Sequence, residues 1–518
     1  MVDGPLYDVA VVGFGPVGNA VAVLLAQQGR RVVVLERRLH PYRLPRAVHF
    51  DHEAARILQA CGLGADLASI SEPADVYEWR NGQGETLLRF GRSGPGFSGW
   101  PQSSMVHQPA LDRLLEARAA ACPTLELRPG AEVTGLDQDG GSVTIHSRNG
   151  DGGAAQVRAR YAVGCDGAGS TVRALTGTPV CDLGFSYDWL IVDVVLHDDR
   201  VFDPINVQIC DPDRPSTAVS GGPGRRRWEF MRLPHELVDD ITGEAAAWRL
   251  LAPWNVTPEN ATLERHAVYT FHARYAERWR TDRVLLAGDA AHQMPPFAGQ
   301  GLCSGLGDAA NLAWKLNLVV EGRGAAALLD TYQSERLPHV RTLIDFSVEL
   351  GNVICIPDAE GAALRDAAMT AAFDPAVLTP TPELPSLTDG LVHPGSPHAG
   401  QAFIQGHVTT EGGRCRFDDA VGAGWRLVAR AGTDVDLGDD LAAWFGSLGG
   451  RVVTVGPRGD VGEVEDPEGT YGAWFTDHDV VAALQRPDFH LYGTTSEADD
   501  GGVAWLVAHL RADLTDRS

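Results

Sequence analysis

The chain has 518 residues, 44% of them apolar and 21% charged, a length that calls for two or three domains and a composition that excludes a disordered, collagenous or coiled-coil protein. Forty-three basic side chains stand against 68 acidic ones, for a formal charge of −25. That balance argues against a nucleic-acid partner or an anionic membrane surface, since both demand a basic face.

Val9 to Ala26 is the longest apolar run, but Asp3 and Asp8 sit where a signal peptide needs positive charge, and three glycines and Pro16 interrupt it. Its pattern is instead a strand (Tyr7 to Val12), a helix (Pro16 to Gln28, with Val17, Val21, Leu24 and Leu25 on one face) and, after a turn, a second strand (Arg31 to Leu35). GFGPVG, Gly13 to Gly18, lies at the first turn of this β-α-β unit, and Glu36 closes the second strand. Gly13 allows the tight turn, Gly15 lets backbone approach a pyrophosphate and Gly18 lets helix and strand pack; Pro16 and Val17 open a helix whose N-terminus attracts the anion. Glu36, beside Arg37, is placed to accept hydrogen bonds from an adenosine ribose. Up to this point the dinucleotide could be NAD or FAD.

Leu125 to Tyr161 alternates around Gly-rich turns and predicts antiparallel hairpins, and a buried strand (Tyr161 to Cys165) then leads into Asp166-Gly167. From Asp182 to about Ala276 strands dominate (Trp189 to Leu196, Ile205 to Ile209, Ser216 to Ser220, Arg227 to Leu233), which suggests an inserted sheet. Arg283 to Ala287 is again a buried strand, followed by the turn bearing Gly288 and Asp289 and then by two helices, one through Ala309 to Val319 and one from Leu329 to about Leu350. Residues 357–398, rich in Pro, Thr, Ser and Gly, read as a linker, and 399–518 mixes strands and helices. Eight cysteines with no CxxC pair suggest reduced thiols in a cytoplasmic protein and no metal framework.

CDGAGSTVR (Cys165 to Arg173) and RVLLAGDAAHQMPPFAGQG (Arg283 to Gly301) each set an Asp-bearing turn directly after a buried strand, as a ribityl phosphate chain requires. A dehydrogenase would leave both idle. With GFGPVG they make the chain resemble, from Tyr7 to about Val353, the single-component FAD-dependent aromatic hydroxylases, the superfamily of para-hydroxybenzoate and phenol hydroxylases. The resemblance implies an α/β chain, α+β overall: a Rossmann-like FAD-binding domain of glutathione-reductase type in two parts (1–181 and 277–356), interrupted by a substrate-binding sheet (182–276), then the linker and a thioredoxin-like domain without its redox pair.

Carried over onto matching positions, Gly13, Gly15, Gly18 and Glu36 would bind the FAD pyrophosphate and ribose. Asp166 and Gly167 would serve both FAD and the nicotinamide cofactor, and Gly288 and Asp289 the ribityl chain. Arg46 matches an arginine near the flavin and Gln108 a glutamine on the ribityl side. Pro296 matches a proline whose carbonyl lies beside flavin and phenol, and Gly299, Gly301 and Leu302 would present backbone to the flavin pyrimidine edge. Pro296 and Arg46 are thus the candidates for catalysis.

The implied reaction uses FAD, NADH or NADPH and O2. A C4a-hydroperoxyflavin places one oxygen ortho to a phenol hydroxyl and yields a catechol. Within the superfamily, WLIVDVVL (Trp189 to Leu196), RRWEFMRLP (Arg226 to Pro234) and NLAWKLNLVVEG (Asn311 to Gly322) resemble the 3-(3-hydroxyphenyl)propionate hydroxylases most. Relatives acting on polyketide aromatics, or a flavin-dependent reductase of the same fold, are the alternatives. Expected partners are a small phenol and a second copy of the chain, with neither nucleic acid nor membrane.

Trp228 and Phe230 share one side of their strand, either as core or as pocket wall. His49, Tyr187 and His272 could help deprotonate a phenol. Arg225, Arg226 and Arg227 read as a solvated hairpin turn, and His292 as structural.

Overall fold

Leu6–Val12 and Val32–Glu36 are runs of apolar, mostly β-branched residues, and together with the second half of Ala154–Gly164 they pair in parallel with almost every side chain buried. Strands covered on both faces read this way. They form the centre of an eight-stranded sheet in a computed structural model that describes residues 5–380, 382–457, 463–496 and 502–516. Leu125–Pro129 joins this sheet parallel to Val32–Glu36, where a hairpin was expected. Helix Gln108–Ala120 supplies the crossover that a parallel neighbour needs. The hairpin pattern holds from Glu132 onward, where Glu132–Gln138, Val143–Arg148 and the first half of Ala154–Gly164 run antiparallel.

The second sheet is built on two long antiparallel strands, Val180–Leu196 and Ala261–Ala276, followed by Arg225–Met231, Ser216–Ser220 and Asn206–Cys210. It also takes in the hairpin Val76–Asn81 and Thr86–Gly91, which lies outside the 182–276 segment. Without that hairpin Asn206–Cys210 would be an open edge, and Val76–Asn81 covers it by parallel pairing. The two faces of the sheet differ. Leu190, Val192, Trp228 and Phe230 bury a separate core beneath helix Glu244–Leu251, whereas Trp189, Ile191 and Met231 belong to the main core shared with the first sheet.

The expected linker carries helix Ala359–Ala372 before the C-terminal sheet, in which Arg426–Arg430 is flanked by parallel Arg451–Gly456 and antiparallel Ala482–Gln485. A buried ionic cluster ties that sheet to the long helices Gly301–Val320 and Thr331–Ile354. Arg486 reaches Glu335 and Asp488 (both 2.6 Å), Asn311 donates to Glu335 (2.7 Å) and Asp488 (2.8 Å), and Lys315 Nζ lies 2.8 Å from Glu335. Lys315 is the sole lysine of the sequence, it is fully buried, and burial pushes its ammonium down to about 8 against the pull of Glu335. Breaking such a pair is costly, so the cluster fixes how the C-terminal domain docks. Among the described residues no helix is long and apolar enough to cross a membrane.

Candidate active site

Helix Pro16–Gln27 starts at Gly15 with neither a side-chain cap nor an acidic residue in its first turn, so its leading N–H groups are left for a ligand. A Cβ on Gly13 would meet the Cys165 carbonyl oxygen at 2.5 Å, and one on Gly18 would collide with the Gly13 oxygen; nothing lies within 4 Å of one on Gly15. Gly13 and Gly18 therefore serve close packing, and Gly15 leaves room for phosphate. Glu36 accepts the Phe14 and Arg38 N–H groups, both at 2.9 Å. These bonds fix its carboxylate while each oxygen keeps a lone pair for ribose hydroxyls. Arg37 is exposed beside it.

A second uncapped helix faces the same cleft. Gly301–Val320 begins after Gly299 (φ +70°) with no side-chain cap and no acidic residue in its first turn, and a Cβ on its Gly305 would touch Val17 at 2.6 Å. The two helices thus cross closely enough to bring both positive ends together. Between them the Gly288–Ala290 turn is held by Asp308, which accepts from the Gly288 N–H (3.0 Å), His292 Nε2 (2.6 Å) and Arg336 Nε (3.0 Å). Asp289 is left exposed. His292 is structural, as expected, and Asp308 is the hub that the sequence did not reveal.

Asp166 accepts from the Ser170 hydroxyl and from the Val172 N–H (3.0 Å), so it caps the short helix Thr171–Leu175 and shapes its own loop. Gly167 beside it adopts φ +82° with open space around it. Gln108 is buried and its Oε1 accepts the N–H groups of Arg46 (3.2 Å) and Ala47 (2.6 Å), while the Arg46 guanidinium stands exposed over the Tyr42 ring at 4.6 Å. Gln108 is placed to position Arg46. Two uncapped helix ends, a glycine turn with phosphate room and an acid at the ribose position fit an FAD.

His49 is buried against this site. Its Nδ1 lies 3.0 Å from the Gly299 carbonyl, which can only accept, so Nδ1 carries the proton and Nε2 accepts from Ser103 Oγ (3.0 Å), with Arg92 at 3.4 Å. Burial first, then Arg92, pushes the imidazole down to about 4, so His49 is a neutral prop under the flavin loop and too weak a base for a phenol.

The turn Pro296–Ala298 projects Phe297 against Trp189 (5.5 Å), Phe271 (5.9 Å) and Phe185 (6.1 Å), and Tyr187 joins Phe185 at 5.0 Å. Of the two readings open for Trp228 and Phe230 the structure takes the core, and the readings of His272 and of the arginines change. Trp228 (0% exposed) and Phe230 (2%) lie on the far side of the sheet, where Trp228 meets Phe202 and Trp254 edge-on. His272 also turns away from this site, being opposite in alternation to the inward Phe271. Arg226 and Arg227 are buried, not solvated: Arg227 forms a fork with Asp193 (2.6 and 3.0 Å) and donates to the carbonyls of Pro45 and Arg46.

The inward alternation also presents groups that the sequence reading missed. Tyr77 (3.1 Å) and Thr217 (2.7 Å) both donate to Gln208 Oε1, and Glu229 sits opposite Thr217 and Ile191 in register. Glu229 is buried, which pushes its carboxyl up to about 7 against the pull of Arg227. The wall is therefore aromatic near Pro296 and polar near Tyr77. RRRWEFM held a signal for it, since charged residues alternating with aromatics on a buried strand mark a polar inner face. Beyond the same turn a cleft of about 460 Å³ borders Ala298 and Gln300 and is lined by Arg92, Phe97, His339 and His490.

Comparison with known proteins agrees with this geometry. Residues 6–347 match the FAD binding domain family and 400–509 the HcaD C-terminal domain. The chain is an FAD-dependent aromatic monooxygenase and belongs to that FAD-binding family. A probable NADH-specific resorcinol 4-hydroxylase of Rhodococcus jostii (strain RHA1) is 41% identical over 511 residues, spanning 98% of this chain and 94% of the relative. A 3-(3-hydroxy-phenyl)propionate/3-hydroxycinnamic acid hydroxylase of Mycobacterium sp. (strain KMS) is 35% identical over 508 residues, spanning 93% and 87%. In fold the chain superposes on the flavin-dependent monooxygenase PieE, solved with FAD and substrate, with a TM-score of 0.83 at 22% identity, covering 99% of this chain and all of that one.

Proposed function

We propose that the chain hydroxylates a small meta-substituted phenol at a carbon ortho to its hydroxyl, giving a catechol or a trihydroxybenzene, with NADH or NADPH as reductant and O2 as co-substrate. The observation that carries this is the two-part wall: aromatic rings around Phe297 to hold a planar ring, then hydrogen-bonding groups from Tyr77 to Glu229 for its oxygens. The two relatives support the pattern, for the substrates in their names are both phenols with a meta substituent. Bound FAD would supply the redox and oxygen-transfer chemistry.

The chain's own residues do the rest. Gly13 to Gly18, Glu36 and Asp289 would hold the dinucleotide, His49 and the Gly299–Leu302 backbone would support the flavin, and the Pro296 carbonyl would accept from the phenol. Phe297, Trp189 and Phe271 keep water from the reacting carbon. Arg46, on a loop tied to the substrate sheet through Arg227, closes the flavin side.

The test is coupled turnover. FAD-loaded protein should oxidise NADH or NADPH faster when a meta-substituted phenol is added and should yield an ortho-hydroxylated product in proportion. Oxidation indifferent to every phenol would point to a flavin reductase of the same fold. Coupling only with large fused rings would favour a polyketide-type substrate.

A further inference from the structure

Glu229 is 7% exposed, and the contact of its carboxylate among the described residues is a long ion pair rather than a hydrogen bond. Its nearest cationic partner, Arg227 Nη1, is 3.8 Å away and already committed to Asp193 and to the carbonyls of Pro45 and Arg46. Arg265, the other guanidinium on this face, is engaged by the Pro45 carbonyl. Among its neighbours, Tyr77 and Thr217 donate to Gln208 Oε1, and Gln208 Nε2 donates to the Ser216 carbonyl. A buried carboxyl without a hydrogen-bond partner is costly, and it lies on the wall that faces the flavin turn.

We infer, resting on the hydroxylase reading above, that Glu229 accepts a hydrogen bond from a second hydroxyl of the substrate and so selects an uncharged meta-diphenol over a phenol that carries a carboxylate chain. A diphenol meets Glu229 with a donor. A carboxylate would meet it with a like charge and find the wall's guanidiniums already spent. The competing anchor for an anion is Arg92, which touches His49 at 3.4 Å and has no ion-pair partner among the described residues.

The charged and titratable groups facing Glu229 are Arg227 on its own strand, Asp193 on the neighbouring strand, Arg265 on the strand beyond that, and Tyr77 on the outer hairpin. Ionised Glu229 is the better acceptor, so turnover of a diphenol should climb as pH rises through the region of its titration.

The experiment compares resorcinol with 3-(3-hydroxyphenyl)propionate as substrates of the FAD-loaded, full-length protein, with coupled product as readout and flavin content as the check on folding. The parent should prefer resorcinol and show an acid limb in kcat/KM near pH 7. Glu229→Met should lower kcat/KM for resorcinol by about 10- to 100-fold, the loss of one hydrogen bond to a charged group. Glu229→Gln should remove the acid limb while flavin content is retained. A parent that prefers the carboxylate substrate and loses that preference in Arg92→Ala would overturn the inference and leave the hydroxylase reading standing; so would unchanged resorcinol kinetics in Glu229→Met. Failure of both phenols to accelerate cofactor oxidation in the parent would overturn the hydroxylase reading, and the inference with it.

Discussion

Replacing Asp308 by Asn keeps the volume of the side chain and removes the charge at the centre of the flavin-binding turn. The aspartate is fully buried and accepts from three donors on three elements: Gly288, His292 and Arg336. Removing one partner of a buried pair costs about 3–5 kcal/mol. Arg336 keeps its bond to the Ser304 carbonyl at 3.0 Å, so the lower end, about 3 kcal/mol, applies. In a domain of this size that is a fall in Tm of roughly 6–12 °C. FAD should also leave faster, since Gly288 leads directly into Asp289.

The pH dependence follows from the carboxyl itself. Burial alone would raise it, but His292, Arg336 and the Gly288 N–H together hold it below the usual range. A depressed folded value means that the stabilisation is complete above the unfolded value of about 4 and fades as pH falls through the folded one. Parent and variant should therefore differ fully at pH 7 and converge in acid. Melting curves of FAD-loaded and FAD-free protein, followed by flavin fluorescence, measure both effects. An Asn variant with unchanged Tm and flavin content at pH 7 would refute the assignment of Asp308 as the hub.

Gly18→Ala should abolish FAD retention, because its methyl would be driven into the Gly13 carbonyl, and flavin absorbance after purification reads this directly. Trp228→Ala should cost about 3–5 kcal/mol in stability while leaving the ranking of phenolic substrates unchanged, as its core lies on the outer face. Glu229 has a raised carboxyl, so its favourable protonated state is lost as pH rises through about 7. Glu229→Gln should therefore melt several degrees above the parent at pH 8.5, and the two should converge below the unfolded value of about 4.3; equal melting at pH 8.5 would contradict the burial argument.

What could be read from the sequence was the flavin half. GFGPVG and Glu36 carry their chemistry in local backbone demands, so spacing located them, while the GDAAH turn took its role from the family resemblance; the family itself is matched over 6–347. The substrate wall was poorly legible because it depends on which side of a strand faces which core. Trp228 and Phe230 attracted attention as aromatics, yet the adjacent Arg227 and Glu229 hold the inner side, and only pairing with Asp193 and Thr217 fixes that choice. The Val76–Asn81 strand was invisible for a related reason, since its partner Asn206–Cys210 lies more than a hundred residues away. Asp308 carries no signal of its own in the sequence, because its three donors arrive from loops and from another helix.

The buried position of Lys315 leaves the folded surface without a single lysine amine. Reagents that acylate lysine amines should therefore find none while the C-terminal domain stays docked. Acylation mapped by mass spectrometry to Lys315 would count the molecules in which helices Gly301–Val320 and Thr331–Ile354 have parted from the Arg486 turn. The cluster that fixes the docking thus doubles as a native reporter of its opening, with no engineered label.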